Sequence, residues 1–203
     1  DKYQSDKELQ RLLTTSQADY QLLNKNDFVR RSFSKKSQGI VALLNDYDYL
    51  PLSHPHNFGA ILRTGAALAI DGVIIASRNQ VPVNSTVIKV SAGGIAYVPI
   101  CRVSSLGEAV NELKKRGYKI VATTTPNSFS TSEKVVECHK FLINSPTCLI
   151  FGNEHHGIKK SLLQKSDYWL FIPVSNNVPS LNVATSCGII LSWLVFPRIS
   201  SYR

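Results

Sequence analysis

From residue 40 onward the chain alternates short apolar runs with stretches whose apolar positions recur every three or four residues. Parallel strands need a long crossover between them, and a crossover helix covers the sheet face with its apolar stripe. Strands are predicted over 39–44, 73–76, 97–103, 118–123, 148–151 and 168–172. Helices are predicted over 57–69, 86–91, 105–116 and from about 182. Asn57 suits a helix N-cap. Ser105 and Glu108 have the spacing of a capping box, and Gly117 suits the position after a helix end. Val183, Cys187, Ile190, Leu191 and Leu194 align on one helical face. The predicted fold class is α/β, with a mostly parallel sheet and helices on both faces.

Residues 1–38 are different in character. They are polar and charged, with a short helix predicted around Glu8 to Leu13 and a short strand over 20–23. A basic stretch with Phe28 and Phe33 follows. The expected division is 1–38, the remainder of a small N-terminal domain plus a linker, and 39–203, the main domain.

With 203 residues, 43% of them hydrophobic, the chain can bury a core and is not of disordered composition. Its formal net charge of +9 suits a polyanionic partner, with nucleic acid foremost. Cys101, Cys138, Cys148 and Cys187 form no C-x-x-C pair and sit in or near apolar stretches, as reduced core thiols do; a cytoplasmic setting is expected. His54, His56, His155 and His156 lack a carboxylate or cysteine partner at ligand spacing, so no metal is expected. The longest apolar run, 183–196, is too short and too polar to span a bilayer, and no secretory signal opens the chain. Nothing matches a P-loop, a dinucleotide fingerprint or a nucleophile elbow.

In open α/β sheets, ligands bind beyond the carboxyl ends of the strands. Three segments there stand out: Asn57-Phe-Gly-Ala-Ile-Leu-Arg63, Phe151-Gly-Asn-Glu-His-His-Gly157, and Ile172-Pro-Val-Ser-Asn-Asn-Val-Pro-Ser-Leu-Asn182. Each alone has a plain structural reading. Asn57, Ser180 and Asn182 serve as helix caps, Gly152 as a turn residue, and Arg63 and Glu154 as solvated charges. In this order, however, they resemble the three motifs of the SpoU/TrmH branch of the SPOUT methyltransferases. The first is N-x-G-x-x-x-R (Asn57, Gly59, Arg63). The second is G-x-E-x-x-G (Gly152, Glu154, Gly157). The third is I-P followed by S-L-N-V (Ile172, Pro173, Ser180 to Val183). The resemblance covers about 39–196. Ser37-Gln-Gly-Ile-Val-Ala42, Pro55-His-Asn57 and Val87 to Gly94 resemble the RlmB-type rRNA guanosine-2′-O-methyltransferases in particular. In those proteins a ribosomal-protein-like RNA-binding domain comes first. Residues 1–38 look like its second half, with the first half expected to be missing or reduced.

The resemblance implies a fold whose carboxyl-terminal part forms a trefoil knot, a homodimer with its active site at the subunit junction, and S-adenosylmethionine as cofactor. By motif position, Gly152, Ile172 and Leu181 would hold the cofactor, with Thr123 and Pro173 nearby. Arg63, Asn57, Glu154, Ser180 and Asn182 would form the catalytic set. The implied reaction is methylation of a ribose 2′-hydroxyl on RNA, with a guanosine of large-subunit rRNA as target. A tRNA target and a catalytically silent RNA-binding assembly factor are the alternatives. Arg63 also counts as an RNA contact, joined by Arg30, Arg31, Lys35 and Lys36 of the basic stretch. Val183, Ile190, Trp193 and Leu194 of the last helix are expected to contribute to the dimer interface. The chain departs from the pattern at His54, His155-His156, Val174, Asn177 and Pro179, which bears on substrate choice and cofactor affinity.

Overall fold

The structure is a computed structural model, and it describes residues 22–23, 40–44, 54–77, 83–125, 134–152, 157–175, 177 and 180–199. It contains an eight-stranded sheet: β1 (Leu22–Leu23), β2 (Ile40–Leu44), β3 (Gly72–Ala76), β4 (Ile100–Val103), β5 (Lys119–Thr124), β6 (Val135–Glu137), β7 (Thr147–Phe151) and β8 (Tyr168–Phe171). Its order is β1-β4-β3-β2-β7-β5-β8-β6, and every described pairing is parallel. Later strands therefore lie between earlier ones: β7 separates β2 from β5, and β8 separates β5 from β6. The helices are α1 (His54–Ala67), α2 (Ser85–Ser91), α3 (Leu106–Lys115), α4 (Lys160–Lys165) and α5 (Val183–Ile199), with 3-10 turns at Gly94–Ala96 and Cys138–Lys140.

Strand period two sorts the apolar residues into two cores. Leu149 and Phe151 of β7 join one core with Ile61 and Leu62 of α1, Val87 of α2 and Ile190 of α5. Cys148 and Ile150, one residue out of phase, join the other with Val110 and Leu113 of α3 and Leu162 of α4. Both sheet faces are thus covered, which is why the strands read as continuous apolar runs. Ile61, Leu62 and Leu149 are fully buried. Each such side chain contributes roughly 1.5–3 kcal/mol by leaving water.

Local chemistry sets the helix ends. Ser105 Oγ accepts the Glu108 amide at 3.2 Å, the cap half of the predicted box. Helix α3 ends in a Schellman motif: Gly117 sits at φ +83°, its amide reaches Lys114 O at 2.9 Å, and the Tyr118 amide reaches Leu113 O at 3.0 Å. Helix α1 ends in the same way with Ala69 at φ +53°, where a non-glycine residue costs roughly 1–2 kcal/mol. Ile70 then folds back over Gly65; a Cβ there would lie 2.6 Å from Ile70 Cδ1.

Several expectations are corrected. Helix α1 begins at His54, three residues earlier than predicted, so Asn57 lies inside its first turns and is not its N-cap. Pro55 misled the prediction: proline is tolerated in a helix's first turn, where its missing N–H has no partner to lose. The predicted strand over 97–103 starts only at Ile100, because a 3-10 turn ends at Ala96 and Pro99 interrupts. Strand β6 and helix α4 were not foreseen; three and six residues are too short for periodicity to register. The predicted helix near Glu8 and the basic stretch with Arg30, Arg31, Lys35 and Lys36 lie outside the described residues. So do Glu154, His155, His156 and Pro179.

Candidate active site

Register fixes the first half of the site. β5 pairs with β7 on one side and β8 on the other: Ala122 lies beside Ile150, and Thr123 and Thr124 lie beside Leu170 and Phe171. The carboxyl ends of three adjacent strands therefore bring Gly152, Thr123 and Ile172 to one sheet edge. Strands stand about 4.8 Å apart, so the ends of β7 and β8 lie about 10 Å apart with β5 between them; continued past the strands, the register sets Gly152 level with Thr124 and Ile172 level with Thr125. All three are half-buried, and Pro173 beyond them is exposed.

Gly152 has a steric reason to be glycine. A Cβ there would lie 2.6 Å from the carbonyl carbon and 2.9 Å from the oxygen of Gly157, itself at φ +64°. The second motif therefore closes on itself backbone to backbone: Gly152 has no room for a Cβ, and Gly157 sits at a φ that favours glycine.

The third motif meets the first through two asparagines. Asn182 caps α5: its Oδ1 accepts the Ala184 amide at 2.9 Å and the Thr185 amide at 3.4 Å. Its Nδ2 donates to Asn57 Oδ1 at 3.0 Å. One side chain thus both starts α5 and joins it to α1. Half-buried Leu181 and exposed Ser180 are carried to the same place by their neighbour.

Arg63 lies six residues beyond Asn57 on α1, about 9 Å along the axis, and is exposed. Its backbone is braced from below. A Cβ on Gly94 would lie 2.8 Å from Arg63 Cα and 2.9 Å from Leu62 O, so the 3-10 turn touches α1 at the motif arginine. Gly59 plays a similar part at the start of α1, where a Cβ would lie 2.7 Å from Val90 Cβ and 2.9 Å from Val87 O of α2. Sequence reasoning missed Gly94. Its signal was the Gly93-Gly94 pair, which has no dinucleotide-loop spacing but serves close packing.

Thiol chemistry finds no support. Burial pushes Cys187 up to about 12, and pushes Cys148 and Cys138 up as well, so the reactive thiolate is disfavoured at each. All four cysteines are buried and free. Among the described residues, no group of three or more His, Cys, Asp or Glu side chains could hold a metal ion, and no helix is long and apolar enough to cross a membrane.

The chain is similar to known proteins over most of its length. It is 30% identical over 174 residues to a Staphylococcus haemolyticus protein described as a TrmH family tRNA/rRNA methyltransferase, covering 86% of this chain and 65% of that one. It is 37% identical over 157 residues to a Mycoplasma pneumoniae protein described as a tRNA/rRNA methyltransferase, covering 77% of this chain and 60% of that one. The chain thus spans less than two thirds of these relatives. Among solved structures, the SpoU methyltransferase AviRb from Streptomyces viridochromogenes superposes with a TM-score of 0.71 at 26% identity, over 86% of this chain and 65% of that one. AviRb has also been solved in complex with the cofactor AdoMet. The A. aeolicus TrmH/SpoU tRNA modifying enzyme gives 0.66 at 27% identity, over 87% of this chain and 85% of that one. The model of the SpoU rRNA Methylase family matches residues 50–192, a span that contains all three motifs and both asparagines of the bridge. With sequence, fold and motif geometry in agreement, the chain belongs to the SpoU rRNA methylase family.

Proposed function

We propose that this chain carries the catalytic domain of an RNA methyltransferase that uses S-adenosylmethionine to methylate a ribose 2′-hydroxyl, on a guanosine of large-subunit rRNA. One juxtaposition carries the reading: the Asn57–Asn182 bond joins the first and third motifs, and the third motif runs on from the strand end at Ile172.

The residues present fit the cofactor. An adenosyl group needs an apolar slot and a few directed amide bonds. Ile172 and Leu181 supply half-buried apolar surface, and the strand ends at Thr123 and Gly152 supply backbone groups. The AdoMet complex of AviRb, a protein of the same fold, supports the assignment. When bound, S-adenosylmethionine supplies an electrophilic methyl group, so the chain's own task is to prepare the hydroxyl.

Arg63 is suited to that task. A guanidinium stays protonated, so it binds the phosphate beside the target ribose and stabilises charge growing on the 2′-oxygen. Asn57 and Glu154 orient Arg63, and Ser180 and Asn182 shape the reacting corner. A phosphate oxygen or water takes the hydroxyl proton.

A tRNA ribose is the second reading, favoured by the likeness to the A. aeolicus tRNA modifying enzyme over 85% of its length. Residues 1–38 are proposed to belong to an RNA-binding domain, with Arg30, Arg31, Lys35 and Lys36 on the RNA backbone. The insertion of β7 and β8 between earlier strands supports a knotted carboxyl-terminal part. A homodimer is proposed on Trp193 and Phe196, which α5 leaves 53% and 57% exposed. Val183, Ile190 and Leu194, expected at that interface, are instead spent on the chain's own core. Free, buried thiols favour a cytoplasmic setting.

The test pairs calorimetric titration of S-adenosylmethionine with transfer of a labelled methyl group to total rRNA and total tRNA, followed by nucleoside mass spectrometry. A labelled 2′-O-methylguanosine from rRNA is expected. Label on a base, or no cofactor binding, would sink the proposal.

A further inference from the structure

Tyr97 is 73% exposed, more than any other large aromatic side chain among the described residues. Its backbone is nevertheless fixed. The Tyr97 amide donates to Gly94 O at 3.0 Å and the Val98 amide to the same oxygen at 3.3 Å. Ile95 on one side and Val98 on the other are buried. A fixed backbone that holds a ring out into water gives the ring little to do within the fold.

Its neighbourhood gives the ring a use. A 3-10 turn rises about 2 Å per residue. Tyr97 closes the turn three residues after Gly94, so its backbone lies about 6 Å further along, while its exposed ring faces away from the side that Gly94 buries against α1. Gly94 in turn meets the backbone of Arg63. The next residue, Val98, lies 3.6 Å from where a Gly65 Cβ would be, so the segment runs alongside α1 from Arg63 toward Gly65. Tyr97 thus belongs to the segment that packs on α1 between Arg63 and Gly65, and the side chains of Tyr97 and Arg63 are both exposed. Lys89, in the last turn of α2 just before Ala92 and Gly93, is exposed as well.

We propose that Tyr97 is a stacking platform for a nucleobase next to the ribose that Arg63 addresses. This rests on the RNA reading of the site and deepens it: the substrate must present an unpaired base there. A duplex buries its base faces, whereas loops and single strands offer them to aromatic rings. The guanidinium takes the phosphate and the phenol ring takes the adjoining base.

The test compares the full-length wild type with Tyr97→Ala, Tyr97→Phe and Tyr97→Trp, using a 12-nucleotide oligo(A) and a duplex of equal length as probes. Tyr97→Ala is expected to weaken oligo(A) binding about 10-fold and duplex binding less than about 2-fold. The Phe and Trp variants should stay within about 2-fold of wild type. Because the ring is uncharged, the salt dependence should keep its slope. In methyl transfer, KM for RNA should rise about 10-fold with kcat little changed. Unaltered oligo(A) binding in Tyr97→Ala, or equal loss in Tyr97→Phe, overturns the proposal. So does a shift in mass by light scattering for Tyr97→Ala, which would assign the ring to contact between copies. A wild-type chain that binds oligo(A) through Tyr97 but transfers no methyl group would instead count against the enzymatic reading.

Discussion

Asn182 Nδ2 donates to Asn57 Oδ1 at 3.0 Å, joining two side chains 125 positions apart, while Asn182 Oδ1 holds the first amides of α5. The two ends of one amide do two separable jobs, and substitution can separate them.

Asn182→Asp keeps the cap, since aspartate is as good an N-cap as asparagine. It also sets a carboxylate oxygen against Asn57 Oδ1, so the present bond is lost and only a turned-over Asn57 amide, donating through Nδ2, could replace it. Thermal stability is expected to change by less than about 0.5 kcal/mol, against a loss of about 1 kcal/mol for Asn182→Ala. Both variants should lose methyl transfer at least 10-fold. A fully active Asn182→Ala enzyme would show that the bridge to Asn57 is dispensable.

Gly94→Ala forces a methyl group to within 2.8 Å of Arg63 Cα and 2.9 Å of Leu62 O, both backbone atoms. Overpacking of this kind costs about 1–3 kcal/mol. Because the displaced segment carries Arg63, activity is expected to fall further than the fraction of folded protein. Denaturant unfolding and initial rates measured on the same samples separate the two effects. Gly93→Ala is a useful comparison: no atom lies within 4 Å of the added Cβ, and only its φ of +84° is penalised.

Arg63→Ala should reduce methyl transfer by about 10²–10³, the usual effect of removing one donor that stabilises developing charge. Calorimetric affinity for S-adenosylmethionine should stay within about 2-fold. Arg63→Lys should recover little, since a point charge does not reproduce the planar fork. Turnover near wild type in either variant would remove Arg63 from the chemistry.

At the opposite edge of the sheet, Asp167 precedes β8 and accepts from the Ile120 amide and Lys114 Nζ, each at 2.8 Å. Burial pulls its carboxyl upward, but the Ile120 amide and Lys114 outweigh this and leave it below its ordinary value. A depressed pKa stabilises the fold above the unfolded value, near 4. That stabilisation is lost as pH falls through the folded value. Asp167→Asn should therefore lower stability by about 1 kcal/mol at pH 7, a modest figure because the carboxylate is partly exposed. The gap to wild type should narrow below about pH 4. A gap independent of pH would mean that the carboxylate's charge plays no part.

Much of the site could be read in the sequence because its chemistry is local. Gly117 was recognisable as a helix stop and Ser105 as a cap, since each acts within a few residues of itself. The motif residues Gly152 and Ile172 could be assigned to strand ends because the apolar runs before them are unmistakable. Asn57 was misjudged as a cap because the sequence shows an asparagine near a helix start, but not the partner 125 residues away that employs its oxygen.

By itself the sequence determined the longer elements, the α/β class and the three segments that carry chemistry, because apolar period and capping are written in neighbouring residues. Only the tertiary structure decided that β7 enters between β2 and β5, which brings Gly152 to the carboxyl end of β5, and that Gly94 supports Arg63. Strand order and backbone contact depend on which surfaces meet across long separations, and the energy of such a meeting belongs to the pair rather than to either stretch of chain.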